Sequence, residues 1–482
     1  MSNINKIEKE IKTKYGNSSD LVFRKIDIGT NKILYVYLES VSSDDKISDF
    51  LVKGLSHFKK PVFSTLLNYL QNNIYNSHIK VINNTDDIYS LLASGFTIIF
   101  IDGVNKHIAI ETRMTLDRGV QESTSESIIR GPKDSFTENN AMNLGLIRKR
   151  IKTNNLWFHE ITLGTETKTK INVAFMKNIV DMEKVNKLIK KIEAIKMDGI
   201  LDSGYIRDFL VVRKSTFFPK IKSTERPDLA SSALLEGKIV ILVENSPFAL
   251  ITPTVLVDYF HTSEDYYQKT PNVNVTRILR FIAFILTIIT PAFYVAVTTF
   301  NQEMIPNELL ISLAIQQDGV PFPTAFEVVM MMVTFEILRE CDIRIPSPMG
   351  AAVSIVGALV LGEAAVSAGI VSPIVIIVVA ITSICGLLFN DIDFVNALRI
   401  WRFIFLFFAT IAGMIGIVVS IIYFIIKLSD VETEGMPYLE PFSPLHFNGL
   451  KDSIIRFPIH KLNRRPFITS DKNKDKLGDY NV

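Results

Sequence analysis

The feature that most constrains this chain is the 147-residue segment from Phe281 to Lys427, which carries only 15 charged side chains. The other 335 residues carry 87, about 26%, the share found in ordinary soluble proteins. Within the segment, Phe281–Phe300 and Phe403–Ile426 are uncharged runs of 20 and 24 residues. About 20 apolar residues in a helix cross the hydrocarbon core of a bilayer. The sequence therefore predicts a membrane protein and excludes a purely soluble one.

The apolar segment predicts an all-α, multi-pass transmembrane bundle of four or five spans over residues 277–427. Residues 345–390 contain one charge in 46 positions, which is too long for one helix, and we expect two helices that break near residues 367–370. Phe403–Ile426 is the clearest single span. The candidate spans are Phe281–Phe300, Thr324–Leu338, two helices within 345–390, and Phe403–Ile426.

Positive charges predict the topology only in part, because lysine and arginine favour the cytoplasmic side. Arg277 and Arg280 place the start of the first span inside, and the N-terminus has no apolar signal sequence, so residues 1–280 are expected in the cytoplasm. The tail, 428–482, has eight basic residues and also favours the inside, which needs an even number of crossings. Arg399 and Arg402 favour the inside as well, which implies an odd number of crossings in total, once the last span is included. We expect a cytoplasmic, partly disordered tail, with part of 345–390 re-entrant or at the interface.

The region before the spans alternates strand and helix patterns, which predicts an α/β fold in two subdomains, 1–155 and 156–270. Short runs rich in β-branched and aromatic residues predict buried strands. These runs are Lys32–Leu38, Phe96–Ile101, Ile171–Phe175, Lys238–Val243 and Phe248–Ile251. Val180–Ile195 predicts an amphipathic helix, with its lysines opposite an apolar stripe. We find no internal repeat.

Composition and motifs argue against catalysis, cofactors and nucleic-acid binding. Nucleotide-binding glycine loops and zinc-protease motifs are absent from the sequence. The two cysteines, Cys341 and Cys385, are too few for a disulfide framework or a thiolate metal site. A net charge of +2 does not suit a nucleic-acid binder. The sequence therefore predicts no enzyme, no cofactor, no metal and no nucleic-acid partner.

Acidic residues inside the apolar segment are the first candidates for function, because a carboxylate in hydrocarbon is costly. Glu327 and Glu363 lack charged neighbours along the chain and are candidate pore or gating residues; a protonated or hydrogen-bonded glutamate is the alternative. Glu336 lies three residues before Arg339, a spacing that predicts a structural ion pair on one helix.

A ridge of small residues is the second candidate feature of the membrane part. Gly350, Ser354, Ala358 and Gly362 recur every fourth residue, which we call the small-residue ridge. Such a ridge lets helix backbones approach closely. It predicts a helix contact within the chain or between subunits, and a pore-lining role is the other interpretation.

One segment of the soluble region also has a recognisable pattern. Ser135 and Glu138 have the spacing of a helix capping box, followed by a helix that ends near Ile151. The basic run Arg148–Arg150 ends this helix. We expect solvated charges there, with an anion or lipid-headgroup contact as the alternative.

These ordered blocks resemble the A subunit of the GerA-type spore germinant receptors. The segments that carry the resemblance are Arg130–Phe136, Glu225–Asp228, Leu235–Leu250, Ser263–Gln268, Met304–Leu310, Gly319–Pro323, Glu336–Glu340 and Ile355–Ala365. The resemblance is close over residues 130–450.

The resemblance implies a multi-pass protein of the spore inner membrane that triggers nutrient germination. Its expected partners are membrane lipid, further copies of itself, a transporter-like B subunit and a C-subunit lipoprotein. The homo-oligomer is expected to form or gate an ion channel. A proton-coupled secondary transporter of a small nutrient is the alternative, although such proteins usually show internal repeats and more spans. A membrane-tethered enzyme is a third possibility that no catalytic motif supports.

Overall fold

The computed structural model of the chain describes residues 4–28, 31–53, 78–82, 85–114, 126, 128–211, 216–344, 360–465, 473 and 475–476. The described chain forms a sheet-containing N-terminal region, a helical apolar region and a tail. The predicted α/β character of the first region is confirmed by two five-stranded sheets.

The first sheet is antiparallel and has the strand order β1-β2-β4-β5-β3. Its strands are β1 (Leu21–Ile28), β2 (Asn31–Leu38), β3 (Ile79–Ile82), β4 (Phe96–Ile101) and β5 (His107–Glu111). Helices α1 (Ile4–Tyr15) and α3 (Thr85–Ala93) cover one face, and α2 (Asp44–Ile47) lies on the other. Burial on both faces explains why β2 and β4 are nearly continuous apolar runs.

The second sheet is built in the same way and has the order β6-β7-β9-β10-β8. Its strands are β6 (Leu156–Leu163), β7 (Thr169–Met176), β8 (Lys222–Thr224), β9 (Ile239–Val243) and β10 (Ala249–Thr252). Helices α4 (Asn140–Arg150) and α7 (Pro227–Leu235) pack on one face. Helices α5 (Met182–Glu193) and α6 (Ser203–Val211) pack on the other.

The two units are therefore a structural repeat, which no pattern in the sequence indicates. Each unit follows the order helix, hairpin, helix, strand, helix, hairpin, and each sheet has its third strand at the edge. The second repeat begins with α4, which packs on the second sheet although it precedes residue 155. The repeat escapes sequence inspection because matching topology requires only matching patterns of burial, not matching residues.

The apolar region contains six described helices. They are α8 (Thr270–Thr299), α9 (Asn307–Gln317), α10 (Thr324–Arg344), α11 (residues 360–367), α12 (Pro373–Gly386) and α13 (Ile392–Ser429). Within the described residues, α8 and α13 are long and apolar enough to cross a membrane. The break predicted near residues 367–370 is present, and Gly369 adopts a positive φ of 64° there.

Helix α13 is not one straight span, so the prediction of a single span over Phe403–Ile426 was wrong. Gly413 has φ 57° and ψ −133°, which no helical residue adopts. The ring centroids of Trp401 and Phe424 lie 4.8 Å apart. In a straight helix these residues would be separated by about 35 Å. The chain therefore reverses at Gly413, and the two arms of α13 run antiparallel.

The reversal places both ends of α13 at the same end of the apolar region. Phe394, near its start, and Leu428, near its end, belong to one buried cluster. Arg399 and Arg402 lie near the start of α13 and the tail follows its end, and two antiparallel arms begin and end at the same place. The two predicted inside positions are therefore compatible with each other.

The described part of the tail packs on the second repeat. The Leu256 amide donates to the Tyr438 carbonyl at 2.8 Å, and the Thr433 hydroxyl donates to the Thr254 carbonyl at 2.8 Å. Tyr438 is fully buried and its ring lies 6.1 Å from that of Phe218. Most of the C-terminal segment for which we predict disorder lies outside the described residues.

Candidate functional site

Three soluble segments that are far apart in sequence meet beside the first apolar helix. The Arg226 guanidinium donates to the Asp228 carboxylate at 2.7 Å, to the Pro132 carbonyl at 3.0 Å and to the Ser263 hydroxyl at 3.3 Å. The Tyr267 hydroxyl donates to the same carboxylate at 2.9 Å. Arg226 and Asp228 are both buried. These residues belong to three of the segments that carry the family resemblance. The structure therefore brings those three segments into contact.

A second buried network joins the soluble region, α8 and the tail, and we call it the junction network. Arg277 of α8 is completely buried; it donates to Asp265 at 3.0 Å and to Asp452 of the tail at 2.8 Å. Arg280, one turn further along α8, donates to Asp265 at 2.9 Å. Arg456 of the tail donates to the Asp265 carbonyl. One aspartate thus connects three parts of the chain.

Electrostatics keep the junction network charged at neutral pH. Burial alone would raise the pKa of Asp265, but the hydrogen bond from Arg280 and the charges of Arg280 and Arg277 lower it. Burial, together with the charge of Arg277, lowers the pKa of His261 to about 4. The His261 imidazole Nε2 lies 2.9 Å from the Ser453 carbonyl oxygen and, in the neutral ring, donates to it.

The predicted helix that ends near Ile151 is present, but the Ser135–Glu138 capping box is wrong. Helix α4 begins at Asn140 with Asn139 as its N-cap, and the Asn139 side chain accepts from the Met142 amide at 3.1 Å. The Ser135 hydroxyl instead donates to the Glu225 carbonyl at 3.1 Å. Capping-box spacing therefore occurs here without a helix start.

Arg148, expected to be solvated, is fully buried between the two repeats. Its guanidinium donates to the Asp20 carboxylate at 2.8 and 2.9 Å and to the Ser18 hydroxyl at 3.1 Å. Arg150 is half-buried and pairs with Asp134. Sequence reasoning could not separate these arginines, because the partner of Arg148 lies 128 residues away.

Glu327, a candidate pore or gating residue, lies buried at the start of another helix. It is 1% exposed, and its carboxylate accepts from the backbone amide of Ser372 at 2.9 Å. Ser372 is the N-cap of α12 and precedes Pro373. A carboxylate at this position satisfies a free amide and complements the positive end of the helix dipole.

Glu336 lies among three arginines. Its carboxylate is 2.8 Å from Arg399, 2.7 Å from Arg402 and 3.7 Å from Arg339. The two closest partners belong to α13 and were missed, because helix spacing reveals only neighbours on the same helix. The cluster joins the C-terminal half of α10 to the first arm of α13.

The small-residue ridge and Glu363 are only partly described. Gly350, Ser354 and Ala358 lie outside the described residues. Gly362 is buried, and a Cβ added there would lie 3.7 Å from the Ile376 Cδ1 of α12. Glu363, the next residue, is exposed on the surface of the apolar region. The two candidate carboxylates, Glu327 and Glu363, therefore occupy different environments.

The chemistry available at these sites is that of ion pairs and helix contacts. Across the described ranges, no group of three or more His, Cys, Asp or Glu side chains is placed to hold a metal ion. An α/β repeat joined by buried ion pairs to long apolar helices defines a class: a membrane-associated protein with a sheet-containing N-terminal region.

Comparison with known proteins identifies the family within this class. The Bacillus/Clostridium GerA spore germination protein family matches residues 9–468. The chain belongs to this family. It is 36% identical to spore germination protein KA of Bacillus subtilis (strain 168) over 97% of this chain and 87% of that protein. It is 32% identical to spore germination protein GerLA of Bacillus cereus, over 96% and 95% of the two chains.

A solved structure is also similar in sequence. The crystal structure of the N-terminal domain of the A subunit of the Bacillus megaterium spore germinant receptor GerK3 is 30% identical. The match covers 52% of this chain and 95% of that chain, with a TM-score of 0.42.

Proposed function

We propose that the chain is the A subunit of a nutrient germinant receptor in the spore inner membrane and triggers germination by forming or gating an oligomeric ion channel. Its partners in this proposal are further copies of itself, a transporter-like B subunit and a C-subunit lipoprotein. Its relatives are spore germination proteins, which supports the process but not the channel.

The observation that carries the channel proposal is the exposure of Glu363 on the surface of the apolar region. A carboxylate that faces lipid is costly, so intramembrane acids usually face a water-filled path or a partner. A second copy of the chain packed against α11 would give Glu363 a partner and would enclose a water-filled path between the copies. The neighbouring Gly362 lies on the opposite, buried side of α11, where it packs against α12.

Glu327 favours the channel over the proton-coupled transporter. Its carboxylate accepts a backbone amide at the start of α12, and it is almost completely buried. A proton-coupling residue must release and rebind its proton, whereas losing the charge here would weaken the end of α12. We assign Glu327 a structural and gating role, through the position of α12.

The chain reversal at Gly413 supports an arrangement in which residues 1–280 and the tail both lie in the cytoplasm. The tail is hydrogen-bonded to the start of α8 through Asp452 and Arg277, which supports placing both on the same side of the membrane. The directions of the helices support the proposal of several spans. Glu327 at the start of α10 meets the start of α12, while Glu336, nearer its other end, meets Arg399.

The experiment is ion flux through liposomes that contain the purified full-length chain, with and without the B and C subunits. We expect flux of monovalent ions that does not depend on a proton gradient, and at least a several-fold reduction in Glu363→Gln. Glu432→Gln, on the exposed part of the tail, is the control. Substrate-dependent proton uptake would instead identify a transporter, and steady hydrolysis of a nucleotide or ester would identify an enzyme.

The small-residue ridge offers a second test of the same proposal. Gly362→Leu places a large side chain against Ile376, and overpacking of this kind costs about 1–3 kcal/mol. We expect spores with this variant to germinate without nutrient or not at all. Val360→Leu is the matched control, because Val360 is 55% exposed two residues away. Equal and mild effects of both variants would contradict a gating role for the ridge.

A further inference from the structure

A cavity of about 320 Å³ lies between the second repeat and the tail and is open on one side. The second repeat contributes Lys238 and Asp258 to its wall, and the tail contributes Glu440, Leu445 and Phe447. Small-molecule sites in proteins begin at about 300 Å³, so the cavity suits a small ligand. It is separate from the apolar helices that carry the channel proposal.

Most charged groups on the cavity wall already have partners. Asp258 lies 2.6 Å from Lys238, and Glu236 lies 3.4 Å from Lys476. Asp452 accepts from Arg277 and is held within the junction network. Arg464 and Arg465 also lie on the wall, and Arg465 donates to the backbone carbonyls of Leu235 and Asp475. The charges that act on Glu440 are those of Asp258, Lys184 and Lys238.

Glu440 is the exception among the acids on the wall. It is 6% exposed, and its Oε2 has no hydrogen-bond partner in the described structure. A buried carboxylate oxygen without a donor costs free energy, because it has lost water and gained nothing in exchange. A hydrogen-bond donor that enters the cavity would remove this cost.

The rest of the wall near Glu440 is largely apolar. Met436, Leu445, Phe447 and Leu462 line the same cavity. Leu445 and Phe447 are 56% and 75% exposed, so the apolar side opens toward solvent and a ligand can reach it. One acidic group at the end of an apolar cavity complements a molecule with one cationic end and an apolar body.

We propose that this cavity binds a small organic amine in its protonated form, with the ammonium group on the Glu440 carboxylate and the apolar part against Leu445 and Phe447. The site joins the tail to the second repeat. A bound amine therefore adds contacts between the tail and the soluble region, independently of the channel proposal.

The ionisation of Glu440 gives the site a pH dependence. Burial, and then the charge of Asp258, raise the pKa of Glu440 to about 7, while Lys184 and Lys238 act in the opposite direction. The other titratable or charged groups on the wall are His446, Asp452, Arg464, Arg465 and Lys476 of the tail, together with Glu236 and His261. A cationic ligand favours ionised Glu440, so its affinity should rise between pH 6 and pH 8.

The test is calorimetric titration of the purified full-length chain with 2-phenylethylammonium, using 2-phenylethanol as the neutral analogue. Charge-assisted hydrogen bonds to buried groups are strong enough that we expect the amine to bind at least about tenfold more tightly than the alcohol. Glu440→Gln should remove that preference. Glu432→Gln, an exposed acid of the same tail, should keep it.

A second variant keeps the proposal falsifiable if Glu440→Gln does not fold. Leu445→Trp fills the open apolar side at an exposed position and should abolish binding of both compounds without loss of stability. Equal affinity of the native chain for amine and alcohol, or amine binding that survives both substitutions, would show a water-filled cavity and overturn the proposal. Neither result would bear on ion flux.

Discussion

The junction network predicts a large effect of removing one negative charge. Asp265→Asn leaves Arg277, which is completely buried, and Arg280 without their shared carboxylate. Taking one partner from a buried ion pair typically costs about 3–5 kcal/mol, because the remaining charge stays buried. Asp452 still faces Arg277 at 2.8 Å and offsets part of this cost. We therefore expect about 3 kcal/mol, or about 100-fold in the equilibrium that opens the junction network, which holds Arg456 through the Asp265 carbonyl.

Limited trypsin digestion of the full-length chain measures this equilibrium. Arg456 is buried in the docked tail, so cleavage after it requires the tail to open. When opening is fast relative to cleavage, the rate follows the open population. Cleavage after Arg456 in Asp265→Asn should therefore be about 100-fold faster, because a loss of about 3 kcal/mol corresponds to that factor. Cleavage after the exposed Lys476 is the internal reference.

Glu264→Gln is the matched control, because Glu264 precedes Asp265 in the same turn and contacts only the Arg130 amide among the hydrogen bonds described for it. It should change the cleavage rate less than about threefold, as surface charges contribute little. An Asp265→Asn rate within fivefold of the native rate, or equal rates for the two variants, would refute the assigned role of Asp265.

Three further predictions concern other buried features. Arg148→Met should lower the free energy of unfolding by about 3–5 kcal/mol and Arg150→Met by less than about 1 kcal/mol, measured by denaturant titration with tryptophan fluorescence; similar losses would contradict the burial difference between the two arginines. The pKa of His261 is about 4 in the folded chain and about 6.5 unfolded, so its contribution is fully present above pH 6.5 and lost as pH falls toward 4. His261→Gln should therefore flatten the pH dependence of trypsin protection in that window, and an unchanged profile would exclude His261 as its cause. Gly413→Ala should destabilise the chain more than Gly435→Ala, although both glycines have positive φ, because only at Gly413 would a Cβ lie 2.7 Å from a phenylalanine side chain; equal shifts in melting temperature would contradict the close approach.

Predictions from the sequence succeeded where one local property determines structure. The apolar runs Lys32–Leu38 and Phe96–Ile101 correspond to β2 and β4, because a strand buried on both faces must be apolar throughout. The amphipathic stripe of Val180–Ile195 corresponds to α5, with Val185, Leu188 and Ile192 buried. The helix break near residue 369 coincides with a glycine of positive φ.

Predictions failed where the deciding contact is distant in sequence. Arg148 and Arg150 have the same local pattern, and only the position of Asp20 separates a buried pair from a half-buried one. The partners of Glu336 on α13 lie 63 and 66 residues away. The cavity beside Glu440 exists only because the tail folds back on the second repeat. No pattern within a single helix or strand contains this information.

The reversal at Gly413 also determines how a signal can pass between the two parts of the chain. Both ends of α13 meet the sheet-containing region: Phe394 stacks on Tyr259 at 4.9 Å, and the ring of Phe424 lies 5.7 Å from that of Phe218. A rotation of the second repeat would therefore move both arms of α13 together, in addition to α8 through Arg277. Packed interfaces change between discrete arrangements and do not deform continuously. A small movement in the sheet-containing region would thus become a concerted shift of three apolar segments, which is the movement that the proposed gating needs.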